Sequence, residues 1–191
     1  MGVLGGSFDP VHVAHLLVAE RAREALELDR VLFVPARGQP LKRHAATAPA
    51  DDRLALLRLA VEGNPAFEVS TLELEREEPS YTVDTLRELR ARAPGAELFL
   101  ILGADAYALL PRWREAGEVR RLARIVLVPR GRASCAGTEG AADDSDVLRI
   151  DVPELAVSAS DIRAWVAARR TIRYLVPDAV RRHILERGLY R

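Results

Sequence analysis

Four short apolar runs alternate with longer segments whose apolar residues recur at helical spacing, and this alternation restricts the fold more than any other feature of the chain. The runs are GVLGG (2–6), RVLFVPA (30–36), ELFLILG (97–103) and RIVLVP (124–129). Such continuous runs suit strands buried on both faces, as a parallel sheet requires. Between the first two lies VHVAHLLVAERAREALEL (11–28), where Val13, Leu16, Leu17, Ala25 and Leu28 are the expected inner positions of a helix. A second helix is expected to start at Asp51-Asp52 and to bury Leu54, Leu57 and Val61. A third covers TVDTLRELRARA (82–93), with Thr82 as N-cap and Val83, Leu86 and Leu89 inside. FEVSTLELE (67–75) and VLRIDV (147–152) read as further strands, and GRASCAGTEGAADDS (131–145) as a surface loop. SASDIRAW (158–165) opens a helix, and a terminal helix is predicted from Pro177, at its first position, to about Arg187, with Gly188 as its stop.

Strands alternating with helices imply βαβ units with right-handed crossovers. The predicted fold class is therefore α/β: a Rossmann-like, doubly wound parallel sheet with helices on both faces and a small C-terminal helical part. The 191 residues are predicted to form a single domain, 1–191, with 153–191 as that helical subregion. In such sheets ligands sit beyond the carboxyl ends of the strands, where the strand order reverses.

Composition narrows the function. Lys plus Arg and Asp plus Glu are both 28, so the formal net charge is zero. A protein that coats nucleic acid or an anionic membrane would carry a basic excess, so neither partner is expected. Cys135 is the only cysteine, which excludes an intrachain disulfide and points to a reducing compartment. The start MGVLGGSFDP lacks the charged beginning and apolar run of a signal peptide. No apolar stretch approaches the roughly 18 residues that span a bilayer. A cytoplasmic location is expected.

Chemistry concentrates in GGSFDPVHVAH (5–15), which holds two of the four histidines. Gly5 and Gly6 permit a sharp turn and a close approach of backbone to ligand. Amides at a turn and at a helix start can point at an anion. His12 and His15, three apart, are expected on one face of the first helical turn. Imidazole donates hydrogen bonds to phosphate, and its cationic form adds charge. The same pair could serve as two metal ligands, although no third ligand stands nearby.

GGSFDPVHVAHL resembles the signature of the bacterial nicotinate-mononucleotide adenylyltransferase family, within the (T/H)-x-G-H nucleotidyltransferases. Ala14 stands where that family has Gly. PARGQPLKRH (35–44) resembles the family's loop ending in Pro-His-Lys, with Leu41 where His is common, and Lys42 is thereby matched to the phosphate-binding lysine. PSYTVDTL (79–86) is similar to a Ser-Tyr-Thr segment that holds the nicotinate nucleotide. LGADAYALLPRW (102–113) resembles a Gly-x-Asp…Trp element. VPRG (128–131) is similar to an Arg-Pro-Gly turn without its Pro, and AVSASDIR (156–163) to an Ile-Ser-x-Thr-x-Ile-Arg signature in which Ser160 replaces Thr. The closing ERGLYR (186–191) matches the family's ending and carries no evident chemistry.

The resemblance implies a nucleotidyltransferase fold and adenylyl transfer from ATP to nicotinate mononucleotide, giving nicotinate adenine dinucleotide and pyrophosphate. It implies His12, His15, Lys42 and Arg163 as the catalytic set. ATP would be bound by Gly6, Ser7, Phe8, His12, His15, Gly103, Asp105, Ser158, Ser160 and Arg163. The nicotinate nucleotide would be bound by Gly6, Ser7, Lys42, Tyr81, Thr82, Trp113 and Arg130. Mg2+ is expected with ATP, held by phosphate oxygens and water, with no protein ligand assigned. Alternatives are an adenylyltransferase acting on nicotinamide mononucleotide, phosphopantetheine or FMN, and a non-catalytic dinucleotide-binding sensor. Phosphopantetheine enzymes usually have Thr where this chain has His12, which counts against that substrate.

Overall fold

A computed structural model describes residues 1–37, 48–76, 79–128 and 146–191. Six strands form one sheet: β1 (Gly2–Gly6), β2 (Val31–Pro35), β3 (Phe67–Val69), β4 (Phe99–Gly103), β5 (Arg124–Val128) and β6 (Val147–Arg149). Their order is β3-β2-β1-β4-β5-β6, the doubly wound order that reverses beside the first strand. β1 pairs with β4, β4 with β5, and β5 with β6, all parallel. The Gly2 amide donates to the Arg30 carbonyl and the Ala36 amide to the Gly6 carbonyl, so β1 and β2 also run in one direction.

The helices are α1 (Val13–Ala25), α2 (Ala50–Val61), α3 (Thr82–Arg92), α4 (Ala104–Leu109), α5 (Ala116–Leu122), α6 (Ala159–Ala167) and α7 (Asp178–Glu186). A 3-10 turn spans Leu110–Arg112. Among the described residues no helix is long and apolar enough to cross a membrane. The loop expected at 131–145, with Cys135, lies outside the described residues.

The inner strands match the apolar runs that predict them, and every residue of β2 is buried. The outer strands are shorter than predicted. β3 stops at Val69 because the Thr71 carbonyl takes the Leu74 and Glu75 amides in a turn. β6 ends at Arg149. Each lies at a sheet edge, paired on one side only, so its burial and its pattern are weaker.

The helix interiors also differ from the predicted stripes. In α1 the buried residues are Ala19 and Ala22, while Val13, Leu16 and Leu17 are half-buried and Ala25 is exposed. Small side chains take the inner face, a placement that hydrophobic weight alone does not reveal. In α2 Leu56, Leu57 and Val61 are inside, Leu54 is half-buried, and Arg53 is 1% exposed. Thr82 is the first helical residue of α3, and Tyr81 holds the cap position. Pro177 likewise caps α7 from outside, and Gly188, at φ 64°, ends it.

The chain forms two compact units. One comprises Met1–Leu4, Val18–Val31 and Tyr81–Glu154; the other comprises Gly5–Leu17, Leu32–Ser80 and Leu155–Arg191.

Candidate active site

Within the second unit, the chain leaves β1 at Gly6 and turns through Ser7 to Val11 before α1. The expected conformational freedom at Gly5 and Gly6 is not where the backbone needs it. Phe8 carries the positive φ, 46°, an unfavourable value for a bulky residue. Its ring is buried, meeting His15 edge-on at 5.1 Å and tilted against Phe33 at 5.9 Å. These contacts hold the turn. Gly6 serves the ring rather than the backbone, since a Cβ there would come within 3.2 Å of Phe8. A Cβ on Gly5 would meet nothing.

His12 lies just before α1, not on it as expected. Its carbonyl accepts the His15 amide at 3.0 Å and the Leu16 amide at 3.5 Å, so it is the flanking cap residue. The His15 side chain returns the bond: its Nδ1 accepts the His12 amide at 3.2 Å. This is the reciprocal closure that Glu or Gln makes in a capping box. The two rings stack with centroids 3.7 Å apart and planes at 27°. With Nδ1 occupied as an acceptor, neutral His15 carries its proton on Nε2, which becomes a hydrogen-bond donor.

His12 is 6% exposed, and burial lowers its pKa from 6.5 to about 4. It is therefore neutral at pH 7, and the cationic contribution expected of it is absent in this state. Its Nδ1 is buried without a hydrogen-bond partner among the described residues. Unsatisfied buried groups are rare in folded proteins and concentrate at sites with work to do.

Arg163, on α6, approaches the same turn. It donates to the Asp9 carbonyl at 2.7 Å and to Ser160 Oγ at 3.2 Å. Ser158 caps α6, accepting the Asp161 amide at 3.1 Å, whereas Ser160 lies inside the helix and is exposed. Of these two serines, only Ser158 acts as a cap. The structure thus brings Gly6, Ser7, Phe8, His12, His15, Ser160 and Arg163 around one turn, with Ser158 at the start of α6. Lys42 and Arg130 lie outside the described residues.

Two supports of this turn are absent from the sequence reading. Asp9 is 4% exposed and its Oδ1 accepts the Ala48 amide at 3.1 Å. Arg53 donates from Nη1 to the carbonyls of Ser7 at 2.7 Å and Ala36 at 2.8 Å. An arginine at an inner position of an otherwise apolar helical stripe was the available signal for Arg53. Asp9 had only its place in SFDP.

The remaining predicted residues belong to the first unit. Gly103 ends β4 and precedes α4, while Asp105 lies exposed in the first turn of α4 rather than at the strand end. Tyr81 caps α3, its carbonyl accepting the amides of Asp84 and Thr85, and the Arg114 guanidinium lies 4.8 Å from its ring centroid. Thr82 begins α3, half-buried. Trp113 closes the 3-10 turn, its amide donating to the Leu110 carbonyl at 3.0 Å, and is also half-buried.

A family model described as cytidylyltransferase-like matches residues 3–165. A probable nicotinate-nucleotide adenylyltransferase of Roseiflexus sp. (strain RS-1) is 49% identical over 196 residues, covering 100% of this chain and 98% of that protein. Another from Thermus thermophilus is 46% identical over 191 residues, covering 100% and 99%. Among solved structures, the nicotinic acid mononucleotide adenylyltransferase of Plasmodium falciparum complexed with NaAD superposes with a TM-score of 0.82. That match covers 99% of this chain and 96% of the other at 18% identity, so it speaks for the fold.

Proposed function

This chain belongs to the cytidylyltransferase-like family and, within it, with the nicotinate-nucleotide adenylyltransferases, and from that membership we propose how its own residues transfer the adenylyl group of ATP to nicotinate mononucleotide. A 5′-phosphate oxygen of the mononucleotide forms a bond to the α-phosphorus of ATP. The bond from that phosphorus to the α,β-bridging oxygen breaks, and the electron pair leaves with pyrophosphate. The nucleophile is already ionised at neutral pH, so no general base is needed. The demands are alignment of two anions and stabilisation of charge as it moves, which is positioning and electrostatics.

The stacked His12–His15 pair carries this reading. His15 Nε2–H is a fixed donor for the α-phosphate, because Nδ1 is held by the His12 amide. Neutral His12 donates to ATP phosphate beside it. Arg163 and Lys42 neutralise phosphate charge, Ser158 and Ser160 hold the pyrophosphate end, and Gly6, Ser7 and Phe8 present the turn. Gly103 and Asp105 accept from ribose hydroxyls. Tyr81, Thr82, Trp113 and Arg130 position the nicotinate nucleotide. Mg2+, held by ATP phosphate oxygens and water, would neutralise phosphate charge, and no residue of this chain is assigned to hold it. Among the described residues no group of three or more His, Cys, Asp or Glu could hold a metal ion.

The test supplies ATP and Mg2+ with nicotinate mononucleotide, nicotinamide mononucleotide or phosphopantetheine and follows pyrophosphate release. Release with nicotinate mononucleotide is expected. Preferential release with another nucleotide reassigns the acceptor, and none with any leaves a dinucleotide-binding sensor.

A further inference from the structure

The closing ERGLYR segment has no part in the reaction as described, yet its geometry is specific. Gly188 ends α7 with its amide donating to the Leu185 carbonyl at 3.3 Å, and the Leu189 amide donates to Ile184 at 3.0 Å. This pair of bonds is the Schellman closure, which needs a residue at positive φ, and Gly188 supplies 64°. The reversed chain carries Tyr190 inward, where it is 8% exposed. Its hydroxyl donates to Asp9 Oδ1 at 2.8 Å.

Asp9 is the centre of this arrangement. The same Oδ1 accepts the Ala48 amide, and its backbone carbonyl accepts Arg163 Nη1. Arg163 Nη1 also lies 3.9 Å from Asp9 Oδ2. The chain end and Ala48 hold the carboxylate by hydrogen bonds, and α6 holds the carbonyl by a hydrogen bond and the carboxylate by the longer ion pair. Asp9 stands between Phe8, with its positive φ, and His12, whose amide orients the His15 ring. A change in the tilt of Asp9 passes along a short stretch of backbone to the two imidazoles.

We infer that Tyr190 is a positioning residue for the transfer reaction: by binding the buried Asp9 carboxylate, the chain's end sets the orientation of the turn from which His12 and His15 act. The inference rests on the adenylyl-transfer reading for its kinetic consequence, and its structural half can be tested separately. Tyr190→Phe keeps the ring and removes one hydrogen bond to a buried carboxylate, a bond class whose loss is felt. The expected result is a fall in kcat of roughly tenfold with KM for ATP changed less than about threefold, measured well below the melting temperature. A purely structural role would lower the melting temperature and leave kcat per folded molecule intact.

Amide hydrogen exchange supplies the readout that needs no substrate. Tyr190→Phe should accelerate exchange at the turn amides, His12 included, and leave β4 and β5 unchanged. Combining it with Asp9→Ala should cost no more kcat than Asp9→Ala alone, since Asp9→Ala already removes the acceptor of the Tyr190 bond. Unchanged exchange at the turn, unchanged kcat, or additive losses in the double variant would each overturn the inference. If the wild type shows no pyrophosphate release with nicotinate mononucleotide, the functional reading fails and turn exchange alone decides the positioning role. If Tyr190→Phe does not fold, Asp9→Ala, which removes the acceptor, carries the same exchange and kinetic test.

Discussion

The turn after β1 and the helix starts of the first unit hold predicted site residues in opposite ways. Around the turn, polar groups are buried: Asp9 and Arg53 are each under 10% exposed and hydrogen-bond main chain, and the buried His12 ring stacks on His15. Around α3 to α5, the charged groups are exposed and pair with one another, as Arg87 does with Glu115 and Arg114 with Asp84. Buried, hydrogen-bonded groups cannot reorient without losing partners, whereas exposed pairs exchange with water at little cost. The difference fits the proposal that charge stabilisation, which needs preorganised donors, belongs to the turn. It fits equally the proposal that substrate recognition belongs to the more adaptable helix starts.

The sharpest way to break that contrast is His15→Ala. Removing one preorganised donor should lower kcat by about 10²–10³-fold, with a much smaller effect on KM for ATP. Steady-state pyrophosphate release at saturating ATP reads this directly. Turnover surviving nearly intact would mean that the turn is scaffold rather than machinery.

A second effect, nearly as large, belongs to His12 and appears in stability. Its folded pKa, about 4, lies below the ordinary 6.5, so the unfolded chain binds the proton more readily. Above pH 6.5 neither state is protonated and nothing changes. As pH falls from 6.5 to 4, only the unfolded state gains the proton, and stability drops by at most ~3 kcal/mol. Urea unfolding across that window should show the decline in wild type and lose this component in His12→Gln.

What could be foreseen from the chain follows the same division. The inner strands were legible because burial on both faces writes itself as an apolar run, and the edge strands were overextended because one-sided burial does not. GGSFDPVHVAH stood out through residue type and spacing, two histidines on a glycine-rich turn after a strand. Its working parts were hidden for physical reasons. The strain resides on Phe8 rather than on a glycine, because ring burial outweighs backbone preference. The capping role of His15 depends on a side chain returning to the main chain. Arg53 and Tyr190 reach the turn from segments distant in sequence, which no local pattern records.

Trp113 sharpens the recognition side. Half-buried at the end of its 3-10 turn, it is the aromatic side chain proposed to meet the pyridine ring. Trp113→Ala should raise KM for nicotinate mononucleotide by about tenfold, the upper range for a ring pair, and leave kcat close to wild type. A fall in kcat with KM unchanged would place Trp113 with the turn in function and erase the proposed division.

The smallest expected effect is the most direct check on the exposed side. Arg87 hydrogen-bonds Glu115 and holds its carboxyl below the usual range, yet both side chains are more than 40% exposed. Glu115 also sits at φ 52° before α5, so its side chain leaves the backbone from a left-handed cap rather than from a helix face. In solvent, the attraction between two such chains is offset by the entropy of holding them and by counterions. A double-mutant cycle with Arg87→Ala and Glu115→Ala should therefore show coupling close to experimental error at physiological salt. Strong coupling that persisted at about 1 M salt, where the screening length is near 3 Å, would show that this pair is fixed as the turn is fixed. The first unit would then share the preorganisation that now separates the two regions.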